Sequence, residues 1–484
     1  MKPTQSLNEV SKTSWIKLSI VSVLFLLWVI WVGNFWLLLI YPLIFDSYTF
    51  KYIKWGAWKH TKFAVKHKKV TEWVDALFFA LVAVYLINLF LFQNYKIPTS
   101  SLEKTLLVGD HLFVSKVSYG PRMPNTPLAF PLVQNTFPII NTKSYFDWPH
   151  WGYHRLKGFG DVQRNDIVVF NFPAGDTVCL KVTNPDYHNI ILNNAFDFVG
   201  MVRPTVPAKY ATSAWSSNQY IMNKGREIVK SRKDIFGEVV YRPVDRRDNY
   251  VKRCIALPGD VLEIKHNQVY INGKKGYDPE KLQFVYQILT DGTVLNDRFF
   301  EKLGISDDDK RSGSMPPYYA LPLTRDQLAK LKTYSFIKQI TIQDMPADST
   351  GRSVFPYSPD YPWSRDNFGP LKMPAKGETV DLNIKNLVLY DRIITAYEGN
   401  KLEVKNNKDI YINGKKTDKY TFKMNYYFML GDNRHKSADS RYWGFVPEDH
   451  VVGKPIVVWL SLDKDKSFPA SIRWNRFFKI VDRK

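Results

Sequence analysis

The sequence predicts a mainly β protein: N-terminal transmembrane helices followed by an antiparallel β domain with large β-rich insertions. Three observations predict it. Two long uncharged runs lie near the N-terminus; short runs rich in Val, Ile, Phe and Tyr follow, punctuated by Pro-Gly-Asp, Asn-Gly and Gly-Asp; and one hairpin-like segment occurs twice.

The first uncharged run extends from Leu18 to Phe45 (LSIVSVLFLLWVIWVGNFWLLLIYPLIF). About 20 residues of helix cross a ~30 Å hydrocarbon layer, so a span is expected over about 18–40, with a fold-back hairpin over 18–45 as the alternative. A cleaved leader has a shorter apolar stretch and a small-residue cleavage site, so the anchor is expected to stay attached. The second run, Ala76 to Phe92, is rimmed by Trp73 and Tyr95 and predicts a span over about 74–94.

Between them, KYIKWGAWKHTKFAVKHKK carries Lys51, Lys54, Lys59, Lys62, Lys66, Lys68 and Lys69 and no acidic residue. Basic loops stay in the cytoplasm, so the chain from about residue 96 onward is expected outside it. The net charge of +21 suits nucleic acid and anionic membrane equally. Topology accounts for part of that charge and directs the reading to the lipid bilayer, with no nucleic acid. Two cysteines, Cys179 and Cys254, exclude a disulfide scaffold and a Cys-rich zinc site but leave a single bridge open.

In the exported part, strands are expected at Asp110–Lys116, Ile167–Phe172, Tyr250–Leu257, Val261–Lys265, Val269–Ile271, Asn386–Ala396, Tyr426–Leu430 and Val451–Leu460, and a short helix at Thr324–Thr333. LEIKHNQVYINGKK at Leu262–Lys275 returns as LEVKNNKDIYINGKK at Leu402–Lys416, each read as a hairpin turning at Asn-Gly. The domains divide as a membrane anchor (1–95), a β core (96–175, 249–276 and 425–484) and two insertions (176–248 and 277–424) expected to be folded β additions. Aligning the repeats by Gly259 and Gly399 puts Arg392 at the place of Lys252. SIRWNRFFKIV near the C-terminus suits a membrane surface or a final strand with cationic edges.

Ser101 follows Phe92 by nine residues, which reach at most roughly 30 Å, so it lies near the outer membrane surface. Thr99, Ser100 and Ser101 also have the composition of a helix cap. Further along stand NDIVVFNFP (Asn165–Pro173), NYVKRCIALPGD (Asn249–Asp260) and GDNRHKSADSRYWGFVP (Gly431–Pro447). Together, behind two spans, these stretches resemble bacterial signal peptidase I, also called leader peptidase.

The resemblance implies a membrane-bound serine endopeptidase with an antiparallel β catalytic domain. It would remove signal peptides from exported preproteins at an A-x-A-like site. It makes Ser101 the nucleophile and Lys252 the general base, with the Thr99 hydroxyl in the oxyanion hole. Ser437 would hold the lysine, Asp439 and Arg441 would form a structural ion pair, and Leu102 would line the substrate pocket in place of the family's Met. No cofactor or metal is implied. The implied partners are signal-peptide-bearing preproteins, the bilayer and the export machinery. The implied location is the bacterial cytoplasmic membrane, multi-pass, with the catalytic domain on the periplasmic side.

The chemistry is consistent with this. Serine is a poor nucleophile until a base takes its proton, and only a neutral amine can do so. On a strand Lys252 shares a face with Tyr250, Cys254 and Ala256, an environment that disfavours its charge. His435 with Asp432 or Asp439 has the residue types of a Ser/His/Asp triad, but the matched lysine already supplies the base. The reading from another class is a catalytically silent envelope protein on this fold, expected to have lost Ser101 or Lys252.

Overall fold

The computed structural model describes residues 9–53, 56–137, 140, 142–197, 206–310 and 315–481; Lys54 of the basic loop lies outside them. Among the described residues, two helices are long and apolar enough to cross a membrane. The first, α1 (Lys12–Val32), starts at Ser11, whose side chain accepts from the Ser14 N–H, and stops at Gly33, whose φ of 71° is left-handed. Glycine tolerates that conformation, and Asn34 then caps the next turn by accepting from the Trp36 N–H at 3.1 Å. The chain reverses there. Phe35–Ile40 and α2 (Tyr41–Tyr48) run back along α1, joined by a 3.0 Å hydrogen bond between Ser22 and Tyr41 and by Trp15 against Phe45 at 6.4 Å. The run 18–45 is therefore a hairpin, with a returning arm whose eight-residue α2 covers only about 12 Å.

The second long helix, α3 (Lys68–Phe90), begins earlier than its apolar run because Lys68, Lys69, Glu72 and Asp75 extend it beyond the lipid-compatible part. Its far end meets the far end of α1, with Phe90 6.0 Å from both Trp28 and Trp31. Both ends are bonded to the β domain: Trp31 Nε1 donates to Lys157 O and the Tyr85 hydroxyl to Pro127 O, each at 3.0 Å. The basic loop is thus at the opposite end of the helices from the β domain.

The β core is built on one antiparallel sheet from β1 (Phe92–Lys96), β2 (Asp110–Ser115), β3 (Ile167–Asn171), β4 (Asn249–Ala256), β5 (Tyr426–Leu430), β6 (Val446–Pro447), β7 (Val451–Ser461) and β8 (Lys479–Ile480). Its order is β1-β2-β7-β3-β4-β5-β6, with β8 on β7. Strand β3 reads as an unbroken apolar run because both its faces are buried. Ile167 and Val169 face one core with Ile97, Leu106, Leu112 and Val458; Val168 and Phe170 face another with Met429, Trp443 and Val446. Strand β4 is flanked by β3 along Asn249–Arg253 and by β5 only along Arg253–Ala256. On the β5 side of Asn249–Lys252, no strand is paired among the described residues.

The first insertion departs from the expected β addition. Among its described residues it is mostly helical, with α4 (Tyr187–Asp197) packed on α5 (Ala214–Ser231) and two three-residue strands, Thr177–Cys179 and Val239–Tyr241. Tyr187, Ile190 and Ile191, and Met222 and Val229, form the helix–helix core. Gly225 lets the helices touch, since a Cβ there would stand 2.1 Å from Ile191 O. Cys179 and Cys254 are both free and buried.

The second insertion is β-rich, with a three-stranded sheet of Phe284–Thr290, Tyr318–Leu323 and Ile337–Ile342. The expected helix forms as Arg325–Leu331 behind a Thr324/Gln327 capping box. Both copies of the repeat are antiparallel hairpins, Val261–Lys265 with Gln268–Ile271 and Leu402–Lys405 with Asp409–Ile412, but they turn at 266–267 and 406–408; the expected Asn-Gly pairs make the next turn, back to Lys274–Lys275 and Lys415–Lys416. The strand expected at Asn386–Ala396 is instead helical: Leu387–Arg392 followed by a wide turn at Ile393–Tyr397. Its apolar residues are buried all round, and such a run carries no period that separates strand from helix. The reciprocal Asn383/Asn386 side-chain bonds to each other's N–H start the helix. Arg392 therefore does not stand on a strand equivalent to that of Lys252.

Candidate active site

The serine lies on a tight turn at the edge of the sheet. After β1, the Ile97 N–H bonds to Asp110 O at 2.8 Å, Pro98 follows, and Thr99 is extended before one 3₁₀ turn at Ser100–Leu102. Leu102 is 1% exposed and packs with Ile97, Leu106 and Val169. It anchors the turn from the side of this core. The turn directs it inward to the core and leaves the hydroxyls of Thr99 and Ser101 on the other side.

Lys252 Nζ donates to Ser101 Oγ at 2.7 Å, and both residues are buried. Lys252 reaches the serine from the middle of β4, under an aromatic wall in which Phe172 stacks on Tyr250 at 4.5 Å and Trp443 stands edge-on to Tyr250 at 5.7 Å. The Tyr250 ring is 5.6 Å from Nζ. Burial lowers the lysine pKa to about 8, against the opposing pull of Asp439 and Asp432.

The GDNR segment supports this arrangement. The Asn433 N–H donates to Ser101 O at 3.0 Å, and the Thr105 hydroxyl to Asp432 Oδ2 at 2.7 Å. Asp432 is also gripped by Arg253, which follows the lysine and faces the other way. Sequence reasoning missed Asp432 and Arg253 as a pair; the available signal was an arginine adjacent to the lysine on a strand and one acid in Gly-Asp-Asn-Arg. Gly431 allows the close approach, since a Cβ there would lie 2.3 Å from Ser437 Oγ and 2.6 Å from Ser101 O.

Asp439 and Arg441 form a buried fork, Nε to Oδ1 at 2.9 Å and Nη2 to Oδ2 at 2.8 Å. Asp439 also accepts from the Gly431 N–H at 3.2 Å. Ser437 is buried beside the serine turn, but its hydroxyl points to Ala438 O at 3.5 Å and not to Lys252. The Thr99 side chain is exposed, and no hydrogen bond of its hydroxyl occurs among the described residues.

His435 is engaged elsewhere. Its Nδ1 accepts from the Val285 N–H, and its Nε2 lies 2.8 Å from Asn267 Oδ1 and 3.0 Å from Asp366 Oδ1. Burial lowers its pKa, so the neutral ring fastens the second insertion to the core. Among the described residues, no group of three or more His, Cys, Asp and Glu gathers in a metal-holding arrangement.

The sequence profile of the family described as "Signal peptidase, peptidase S26" matches residues 70–297 and 417–460. That is more than half of the chain, and the gap is most of the second insertion. Signal peptidase I of Pseudomonas aeruginosa is 43% identical over 413 residues, covering 82% of this chain and 74% of that protein. Signal peptidase I of Buchnera aphidicola subsp. Acyrthosiphon pisum is 24% identical over 433 residues, 87% of this chain and 86% of its own. That of Haemophilus influenzae is 22% identical over 418 residues, 85% and 76% respectively. With apolar N-terminal helices, an antiparallel β domain and this similarity along most of its length, the chain belongs to the signal peptidase family, peptidase S26, among the bacterial signal peptidases I.

Proposed function

We propose that the chain cleaves signal peptides with Ser101 as nucleophile and Lys252 as general base. The observation that carries the reading is the 2.7 Å contact between Lys252 Nζ and Ser101 Oγ in a buried setting. Neutral Lys252 takes the hydroxyl proton as Ser101 Oγ attacks the scissile carbonyl, giving a tetrahedral intermediate. Its oxyanion accepts from the Ser101 N–H and the Thr99 hydroxyl. Collapse breaks the peptide bond, with Lys252 returning its proton to the leaving amine; the again-neutral Lys252 then takes a proton from the water that attacks the acyl-enzyme and passes it to Ser101 Oγ as the ester bond breaks. Keeping both Ser101 and Lys252 in contact argues against the silent-envelope alternative.

The substrate is the A-x-A-like segment just beyond a signal peptide's apolar stretch, since the serine lies one short strand beyond the end of α3. The free edge of β4 beside Lys252 offers backbone groups to an extended peptide. The helices lie in the bacterial cytoplasmic membrane as a multi-pass anchor. The lysine-rich loop is cytoplasmic, and the β domain sits on the periplasmic side, where preproteins leave the export machinery.

The test is cleavage of a signal-peptide-bearing preprotein by the purified full chain beside Ser101→Ala. The variant should fold and release no mature product. Equal cleavage by the two would refute the assignment.

A further inference from the structure

The outer end of α3, strand β1 and the loop ahead of β4 enclose a cavity of about 360 Å³. That is at the lower end of the roughly 300–1,000 Å³ of small-molecule sites. Tyr85 and Asn88, from the last turns of α3, line one side. Four cations, Lys96, Lys116, Arg122 and Arg246, face a single carboxylate, Asp245. Asp245 Oδ2 already accepts from the Thr126 N–H and hydroxyl at 2.9 and 3.0 Å, and Arg246 stands 3.7 Å from the same oxygen. Arg122 is bonded to neutral acceptors, Asn171 Oδ1 and Asp449 O. Lys116 makes no side-chain hydrogen bond or ion pair among the described residues. Its backbone N–H bonds to Leu91 O at 2.8 Å, which holds it at the point where the chain leaves α3.

Burial and the neighbouring Arg122, Arg246 and Arg155 push the Lys116 pKa down to about 7, and an anion among them would reverse that shift. Phe130 and Leu132 line the same cavity, yet are 52% and 74% exposed. Cationic interior, apolar rim and a position at the end of a membrane-length helix coincide here.

We propose that this cavity binds the anionic headgroup of a phospholipid, with Lys116, Arg122 and Arg246 around the phosphate and Phe130 and Leu132 against the adjoining apolar part. The inference rests on the membrane placement proposed above, not on the Ser101/Lys252 chemistry. The cavity shares Tyr95 and Lys96 with the strand that leads to Ser101, and Asn249 with the strand that carries Lys252. A bound headgroup braces both segments that border the site.

The experiment is equilibrium binding of a fluorescent phosphatidylglycerol to the full chain in detergent micelles, competed with phosphatidylcholine and with inorganic phosphate. Charge-assisted contacts predict a preference of about tenfold for phosphatidylglycerol over phosphatidylcholine, reduced several-fold in Lys116→Gln/Arg246→Gln and kept in Lys116→Arg. Equal binding of the two lipids, or a preference that survives the double substitution, would overturn the proposal. Displacement by inorganic phosphate as effective as by phosphatidylglycerol would assign a free-phosphate site and overturn the lipid. So would a fall in lipid-free cleavage of a soluble peptide by Lys116→Gln, which would make the cavity part of the peptide path. Absence of cleavage by the wild type would count against the peptidase reading and leave the binding result standing.

Discussion

Arg253 and Asp432 meet in two parallel hydrogen bonds, Nε to Oδ1 at 2.8 Å and Nη2 to Oδ2 at 2.7 Å, with both side chains closed off from solvent. The arginine follows Lys252 on β4, and the carboxylate also holds Thr105 beyond the serine turn. The pair therefore ties the strand that carries Lys252 to the segment that follows the serine turn. Removing one member of a buried pair typically costs about 3–5 kcal/mol because the other charge is left unpaired. Arg253→Met should lower the urea midpoint by a corresponding amount and reduce cleavage even where the protein remains folded. An unchanged midpoint would show the pair to be dispensable.

The lowered pKa of Lys252 has two consequences of stated sign. Only the neutral amine accepts the serine proton, so kcat/KM should rise with pH and level off above about 8. Lys252→Arg, which stays protonated, should abolish both the activity and the rise. Folding should respond as well. Between about 8 and 10.5 the unfolded chain binds the proton that the folded chain has lost, so stability increases with pH through that window. The share of Lys252 is about 3 kcal/mol, and Lys252→Met should remove that share from denaturation curves while the rise contributed by Lys116 remains.

Thr99 offers a cleaner probe because its exposed hydroxyl carries no structural bond among the described residues. Losing one oxyanion donor lowers kcat by ~10² to 10³, so Thr99→Val should fold normally and turn over that much more slowly. Thr99→Ser should retain most of the rate. Steady-state kinetics on a peptide substrate separates the two, and wild-type turnover in Thr99→Val would remove the hydroxyl from the mechanism.

The fold-back at Gly33 makes a topological prediction. Reporter fusions in the loop 56–66 and ahead of α1 should both report the cytoplasm, and one after Lys116 the opposite side. A fusion ahead of α1 that reads as exported would mean that 18–45 crosses once.

The two long apolar helices were legible from their uncharged runs and most core strands from buried β-branched runs, and the serine and lysine from the distinctive segments around them. What was hidden depended on tertiary contact. The helices of the first insertion carry Asn, Ser and Gly on a narrow apolar stripe, with Gly225 making sense only against Ile191. The Leu387–Arg392 helix is apolar on every side. Leu102, which the family resemblance puts at the substrate pocket, lies in the buried cluster beneath the serine turn, a placement that only the folded turn reveals. The Asp432 partner, 179 positions from Arg253, is fixed only by the sheet order that places β5 beside β4.

The bond from Thr105 to Asp432 joins positions 327 apart in the chain. At roughly 5–20 residues per second, the second partner is synthesised many seconds after the first. Until then the serine turn has no Asn433 N–H at its carbonyl, and Arg253 has no counter-charge to fix the strand that carries the lysine. A chain not yet elongated to Asp432 and Asn433 thus lacks the contacts that brace both the serine turn and the strand of Lys252.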